Sequence, residues 1–147
     1  MKVVIQRCKH GEVLVNNQLI NEVNKGIVLL VGFNIYDTID DINYLVKKII
    51  NLRIFDDEQG VMNKSILDIN GEILSISQFT LEATTKDGNR PSYSKAMNGK
   101  EAIKLYELFN AKLNDYIKTL PGVFGAEMLV NIANDGPITI IIDSKNK

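Results

Sequence analysis

The sequence predicts a mixed α/β domain with largely antiparallel strands and two main amphipathic helices. Three observations carry that expectation. β-branched and alternating apolar runs recur through the chain, two stretches repeat apolar residues at helical spacing, and the order is strands, helix, strands, helix, strands. The 147 residues fit a single domain, 1–147. A domain of that size buries roughly 70% of the surface its unfolded chain exposes and needs neither disulfide nor metal to fold.

Taken in order, Lys2–Val15 reads as a hairpin with apolar runs at Val3-Val4-Ile5 and Val13-Leu14-Val15, and Asn16-Asn17 suits a tight turn. Gly26 to Phe33 is a continuous apolar run, as expected of a strand buried on both faces. Thr38 reads as a helix N-cap, with Asp40 and Asp41 in the first turn, where the helix dipole favours acids. Ile42, Leu45, Val46, Ile49 and Ile50 mark that helix's inner face, and Lys47 and Lys48 point outward. A short strand at Arg53-Ile54-Phe55 and an exposed turn at Asp56 to Gly60 follow. Glu72 to Leu81 reads as a strand, and Thr84 to Arg90 as a polar loop. A second helix spans about Gly99 to Ile117, with Ala102, Ile103, Tyr106, Phe109, Leu113 and Tyr116 on its apolar face. Phe124, Ala126, Met128, Val130 and Ile132 alternate as in a strand, Asn134-Asp135-Gly136-Pro137 breaks it, and Ile138 to Ile142 forms the last one. The apolar pattern stops at Asp143, so disorder is expected only in the tail 143–147.

Composition narrows the function. With 17 basic and 18 acidic side chains the net charge is −1, which argues against coating nucleic acid and leaves recognition of an RNA end open. No DNA partner is expected. Cys8 is the only cysteine, which suits a reducing compartment. No secretion signal or membrane-spanning run is evident, so the expectation is a cytoplasmic protein without a membrane partner.

The usual catalytic inventories are nearly empty. His10 stands in the expected hairpin turn with no charged partner or metal-ligand spacing beside it, and reads as a solvated loop residue. Cys8 reads as a small packing residue. There is no Gly-x-Ser-x-Gly elbow, phosphate loop or dinucleotide fingerprint. The acidic pairs Asp40-Asp41 and Asp56-Asp57 read as capping and solvated surface. No metal or cofactor is expected, and any chemistry need not depend on the protein's own side chains.

Two segments stand out. Ser77-Gln78-Phe79-Thr80-Leu81 could aim consecutive backbone N–H groups at a pocket, or could be an ordinary strand end with a buried Phe79. Asn134-Asp135-Gly136-Pro137-Ile138-Thr139 could be a plain β-turn linking two strands, or a rigid exposed Gly-Pro pair, a rigidity that a cis bond would supply. Together the two resemble the signature motifs of the D-aminoacyl-tRNA deacylase family. The resemblance also takes in Gln6-Arg7, Arg53-Ile54-Phe55, Met62-Asn63, Asn89-Arg90-Pro91-Ser92 and Phe124-Gly125-Ala126. Tyr93 stands where that family commonly has phenylalanine, and Ile138 where it has valine.

The resemblance implies a barrel-like fold working as a homodimer, with active sites at the subunit interface. It implies that D-amino acids are hydrolysed from the tRNA 3′ end, with glycyl-tRNA also accepted. The N–H groups of Phe79 and Thr80 would face the ester, beside Ser77 and Gln78 in the substrate site, and the tRNA 2′-OH would take part in the attack. Gly136-Pro137, joined by a cis bond, would enter the partner's site as a wall that rejects L-amino acids, held in place by Arg7. Lys86, Arg90 and Lys95 are candidate phosphate contacts. Two rival readings are a threonine esterase or peptidase using Thr80, and a non-catalytic binding dimer.

Overall fold

The computed structural model describes residues 1–146. Its first strand, β1 (Lys2–Val15), runs unbroken for 14 residues and is no hairpin. Its middle looks turn-like in sequence because the inward-facing Arg7 is polar; Arg7 is nonetheless 8% exposed. The turn comes after the strand. Asn16 and Asn17 take φ of 50° and 61° and lead into β2 (Gln18–Val23). Next comes β3 (Gly26–Gly32), which continues along the same edge of β1, pairing from Cys8↔Gly26 to Lys2↔Gly32.

Helix α1 (Ile39–Asn51) begins where expected, with the Thr38 N–H donating to Asp41 Oδ2 at 2.8 Å. The expected strand at 53–55 is displaced to β4 (Phe55–Asp56), which forms a small ribbon with β5 (Met62–Lys64). Strand β6 (Glu72–Ser77) pairs parallel to β3 and stops short of Leu81. A 3-10 turn, Phe79–Glu82, takes over.

Helix α2 (Gly99–Asn114) ends before Tyr116, which is 60% exposed and so lies off the apolar face assigned to it. Ala102, Tyr106, Phe109 and Leu113 form that face. β7 (Thr119–Pro121) pairs parallel to β6. Pairing is antiparallel wherever β1 takes part and parallel along β3–β6–β7. There a helix in each connection returns the chain to the end from which it started.

The last strand, β8 (Leu129–Asp143), lies antiparallel along the other edge of β1. It begins five residues after Phe124. The upstream alternation belongs to an extended stretch with a turn at Gly125 (φ 78°), not to a ladder. The Asn21 side chain donates to Pro121 O at 2.7 Å, tying β2 to β7 and nearly closing the barrel.

Successive residues of β3 face opposite ways, and both ways lead to core. Ile27, Leu29 and Val31 pack toward the two helices, and Val28 packs inside the barrel with Cys8, Val13, Val23, Leu74 and Ile76. That is the reason for its continuous apolar run.

Beyond β8, Ser144 is 2% exposed and Lys145 Nζ lies 2.8 Å from Asp41 Oδ2 and 3.4 Å from Asp37 Oδ1. Lys147 lies outside the described residues. Burial opposes ionisation of Asp41, but hydrogen bonds from Lys145, Ser144 and the Thr38 backbone outweigh it and hold the carboxyl well below its ordinary 3.8. Because the folded value is lower than the unfolded one, this contribution to stability is complete above about pH 4 and is lost as acid lowers the pH through the depressed value. Lys145→Met should therefore lower the urea midpoint at pH 7, with a gap to the wild type that narrows toward pH 2.

Candidate active site

The end of β6 is built for a sharp change of direction. Gln78 N–H makes the last bond to β3, at 2.7 Å from Val31 O, and the chain then winds into the 3-10 turn. Gly32 permits this, because a Cβ there would stand 2.9 Å from Gln78 O and 2.9 Å from Leu81 Cβ. From below, the buried Glu82 carboxylate accepts from Asn34 Nδ2 at 2.9 Å and from Lys2 Nζ at 3.4 Å, and Lys2 Nζ also reaches Leu81 O. Lys2, Gly32, Asn34 and Glu82 are positioning residues that sequence reasoning missed. They meet only in the fold, up to 80 positions apart.

Within the turn, Leu81 N–H bonds to Gln78 O and Ala83 N–H to Thr80 O. The N–H groups of Phe79 and Thr80 precede those bonds and find no acceptor among the described residues, as at the first turn of any helix. Phe79 is not the buried residue of an ordinary strand end: it is 58% exposed.

Phe79 stands at a cavity of about 460 Å³, lined by Ser77 from the end of β6, by Gln78 and Phe79, and by Val31, Phe33, Met97, Ala102, Phe124, Met128 and Val130 around it; Thr80 is the next residue along the turn and is not part of the lining. That volume lies in the range of small-molecule sites. Not one lining residue is an acid, a base, a histidine or a cysteine. The Thr80 hydroxyl accepts from Gln78 Nε2 at 2.5 Å. The stretch Phe124 to Met128, expected as strand, instead passes over the cavity as a turn.

Gly136 and Pro137 lie elsewhere. Gln6 pairs with Thr139 and Cys8 with Asn134, so four residues of β8, 135 to 138, bulge out opposite Arg7 alone. They do not link two strands through a β-turn; β8 continues past them. The Gly136-Pro137 peptide is cis, and Gly136 has φ of 119°.

Arg7 grips the bulge. Its Nε lies 3.3 Å from Asp135 O and 3.2 Å from Asp135 Oδ2, and its Nη1 donates to Ile54 O at 2.8 Å. Asn134 Nδ2 closes the base of the bulge on Arg7 O and Ile138 O, each at 3.0 Å. The chain thus brings Ser77, Gln78, Phe79 and Thr80 together, and separately Arg7, Gly136 and Pro137. Neither of the last two residues lines this chain's own cavity.

His10 departs from expectation: it sits in mid-strand, with Glu12 and Glu22 carboxylates 3.7 and 3.8 Å from its Nε2. Glu22 is brought in by the β1–β2 pairing. Cys8 is fully buried, and burial pushes its thiol up to about 11, in keeping with a packing role. Lys86, Arg90 and Lys95 are exposed and make no ion pair among the described residues. No described helix is long and apolar enough to cross a membrane.

An apolar cavity with unpaired amide donors and no resident base suits an esterase that leaves the nucleophile to its substrate. Comparison with known proteins agrees on the class, a hydrolase acting on the aminoacyl-tRNA ester. The profile of the D-Tyr-tRNA(Tyr) deacylase family matches residues 4–143. The chain belongs to that family.

D-aminoacyl-tRNA deacylases of Flavobacterium psychrophilum and Bacteroides fragilis are 53% and 54% identical to it, over all of this chain and 99% of each of theirs. A solved structure described as a c-Myc DNA unwinding element binding protein superposes with a TM-score of 0.91 at 40% identity, covering 97% of this chain and 98% of that one. A probable eukaryotic D-amino acid tRNA deacylase superposes at 0.82 with 17% identity, covering 96% and 97%, and so shares the fold.

Gly32→Ala tests the seating of the turn. The added methyl must displace Gln78 or Leu81, so stability should fall by about 1–3 kcal/mol. Deacylation should fall further than the unfolded fraction explains. Denaturation and turnover measured on the same preparation separate the two.

Proposed function

We propose that the protein frees tRNA of D-amino acids, and of glycine, by holding the ester carbonyl on the N–H groups of Phe79 and Thr80. The single observation carrying this reading is a pair of consecutive backbone donors, Phe79 and Thr80, unpaired among the described residues, the first of them on the wall of a cavity lined by no titratable side chain. Hydrolysis passes through a tetrahedral oxyanion, and each preorganised donor to it is worth about 2.7–4 kcal/mol. With no protein base in the cavity, the ribose 2′-OH beside the ester, or water ordered by it, serves as nucleophile. Ser77 and Gln78 border the bound amino acid and ribose.

The stereochemical check falls to Gly136-Pro137 of a second copy. Two observations support a homodimer acting in trans: the bulge lies outside its own chain's cavity, and β8 pairs on one edge only while exposing Leu129 and Ile141. Seated at the partner's cavity, the Gly-Pro wall occupies the side of Cα where an L side chain would lie. A D side chain points away, and glycine has none to exclude. Arg7 holds the wall in position. The proposed partners are a second copy and the aminoacylated tRNA end, in the cytoplasm.

Thr80→Ala keeps the backbone donor, so a folded variant should retain kcat within about tenfold. A 3′-charged tRNA with 2′-deoxyribose at its terminus should lose far more, about a hundredfold or beyond. Rapid-quench deacylation of both, with binding measured separately, decides; a dead Thr80→Ala enzyme that still cleaves the deoxy ester would establish the threonine-esterase reading instead.

Pro137→Ala should reduce the D-over-L preference on matched D- and L-tyrosyl-tRNA at least tenfold. An unchanged ratio in a folded dimer removes the wall from the account, and full activity in a monomer by sedimentation removes the in-trans arrangement.

A further inference from the structure

Of the five phenylalanines, Phe79 alone is exposed among the described residues, and it is not solitary. Its ring meets Tyr93, itself 40% exposed, edge to face, with centroids 5.0 Å apart and planes at 68°. An edge-to-face pair engages the face of only one ring with the edge of the other, so aromatic surface stays open to solvent.

Tyr93 is fixed there by its neighbours. Thr84 and Ser92 exchange two backbone hydrogen bonds of 2.9 Å, and Ala96 N–H bonds to Tyr93 O at 2.9 Å. The other strongly exposed tyrosines, Tyr36 and Tyr116, make no ring pair. The chain that leads into and out of Tyr93 carries Lys86, Arg90 and Lys95, all exposed and without an ion pair among the described residues.

We propose that Phe79 and Tyr93 form a stacking platform for the base of the nucleotide that precedes the terminal adenosine. Exposed rings beside unpaired cations are the arrangement that holds single-stranded nucleic acid, the rings taking a base and the cations its phosphate. Phe79 joins the platform to the chemistry: it lines the cavity proposed to receive the ester, and it is also 58% exposed, with its ring against Tyr93. A strand whose last residue enters the cavity must pass this edge. Stacking fixes its direction there without reading sequence, as a shared 3′ end requires. The inference rests on the deacylase reading and adds the second base to it.

The test uses the intact protein with two substrates, D-tyrosyl-tRNA and D-tyrosyl-adenosine, the latter lacking a second base. Tyr93→Ala should raise KM for the tRNA about tenfold, with kcat changed less than about twofold, while KM for the adenosine ester stays within about twofold. Tyr93→Phe should restore the wild-type value, and Tyr116→Ala should do nothing.

A tRNA abasic at the penultimate position should show the same rise with the wild type and no further rise with Tyr93→Ala. An equal loss on both substrates would give the pair to the amino acid or to the cavity's shape, and conversion to a monomer would give it to a second copy; either overturns the platform. So does an unchanged KM for the abasic tRNA. Should neither ester be cleaved by the wild type, the deacylase reading fails by itself. A fluorescent base at the penultimate position of uncharged tRNA then still decides, since stacking on Tyr93 must quench it in the wild type and less in Tyr93→Ala.

Discussion

Hydrogen bonding along both edges of β1 is the constraint from which the two candidate sites hang. One edge carries β2 and then β3, whose last carbonyl bond, Gln78 N–H to Val31 O, sets where the 3-10 turn begins. The other carries β8 over nearly its whole length; the ladder skips Lys9 and lapses most widely opposite Arg7. A strand has no slack between such partners: a slip by one residue would turn every side chain to the wrong face. The four residues of β8 that face Arg7 alone therefore have nowhere to go but outward. The bulge is the residue count of two registers that must both be satisfied, and Arg7 stands where they disagree.

On the proposed mechanism, the cavity is a hydrolytic site made without catalytic side chains. A 3-10 turn, like any helix start, leaves its first amides unbonded, and most such amides are satisfied by water. Here the turn is pressed against β3 through Gly32 and held from behind by Glu82, Asn34 and Lys2, so the donors keep one orientation at an apolar wall. Donors that are already oriented need no reorganisation when charge develops. Low polarity around them strengthens what they offer. Substitutions at the supporting residues thus reach the chemistry through geometry alone.

Much of this was legible in the sequence, and the failures share a cause. The run from Gly26, the α1 periodicity behind Thr38 and the Asn16-Asn17 turn were readable because each is decided locally. Lys2–Val15 reads as a hairpin because the polar stretch around His10 separates two apolar runs, and an inward Arg7 makes sense only once Asp135 and Ile54 are known to meet it. Phe124 to Met128 alternates as a strand would, yet the chain turns at Gly125, and its apolar residues Phe124, Ala126 and Met128 line the cavity instead of a sheet face. Ser77 to Leu81 and Gly136-Pro137 were visible as motifs, whereas Gly32, Glu82 and the Phe79–Tyr93 contact depend on approaches that no spacing encodes.

Separating the two groups within one chain has a consequence for fidelity. Arg7, Asn134 and Asp135 hold the Gly-Pro bulge through bonds to β1 and to Ile54, none of them shared with the turn at Gln78. Distant groups without common partners respond to change independently. On the in-trans arrangement proposed above, the wall that inspects chirality and the amides that stabilise the oxyanion then belong to different chains at each site. A deformation of one chain's turn leaves its own wall intact for the other site, and loss of the dimer removes inspection while leaving each chain its cavity. A subunit alone would have the donors without the wall. Requiring assembly for turnover keeps that unselective state from hydrolysing the L-aminoacyl esters that translation needs.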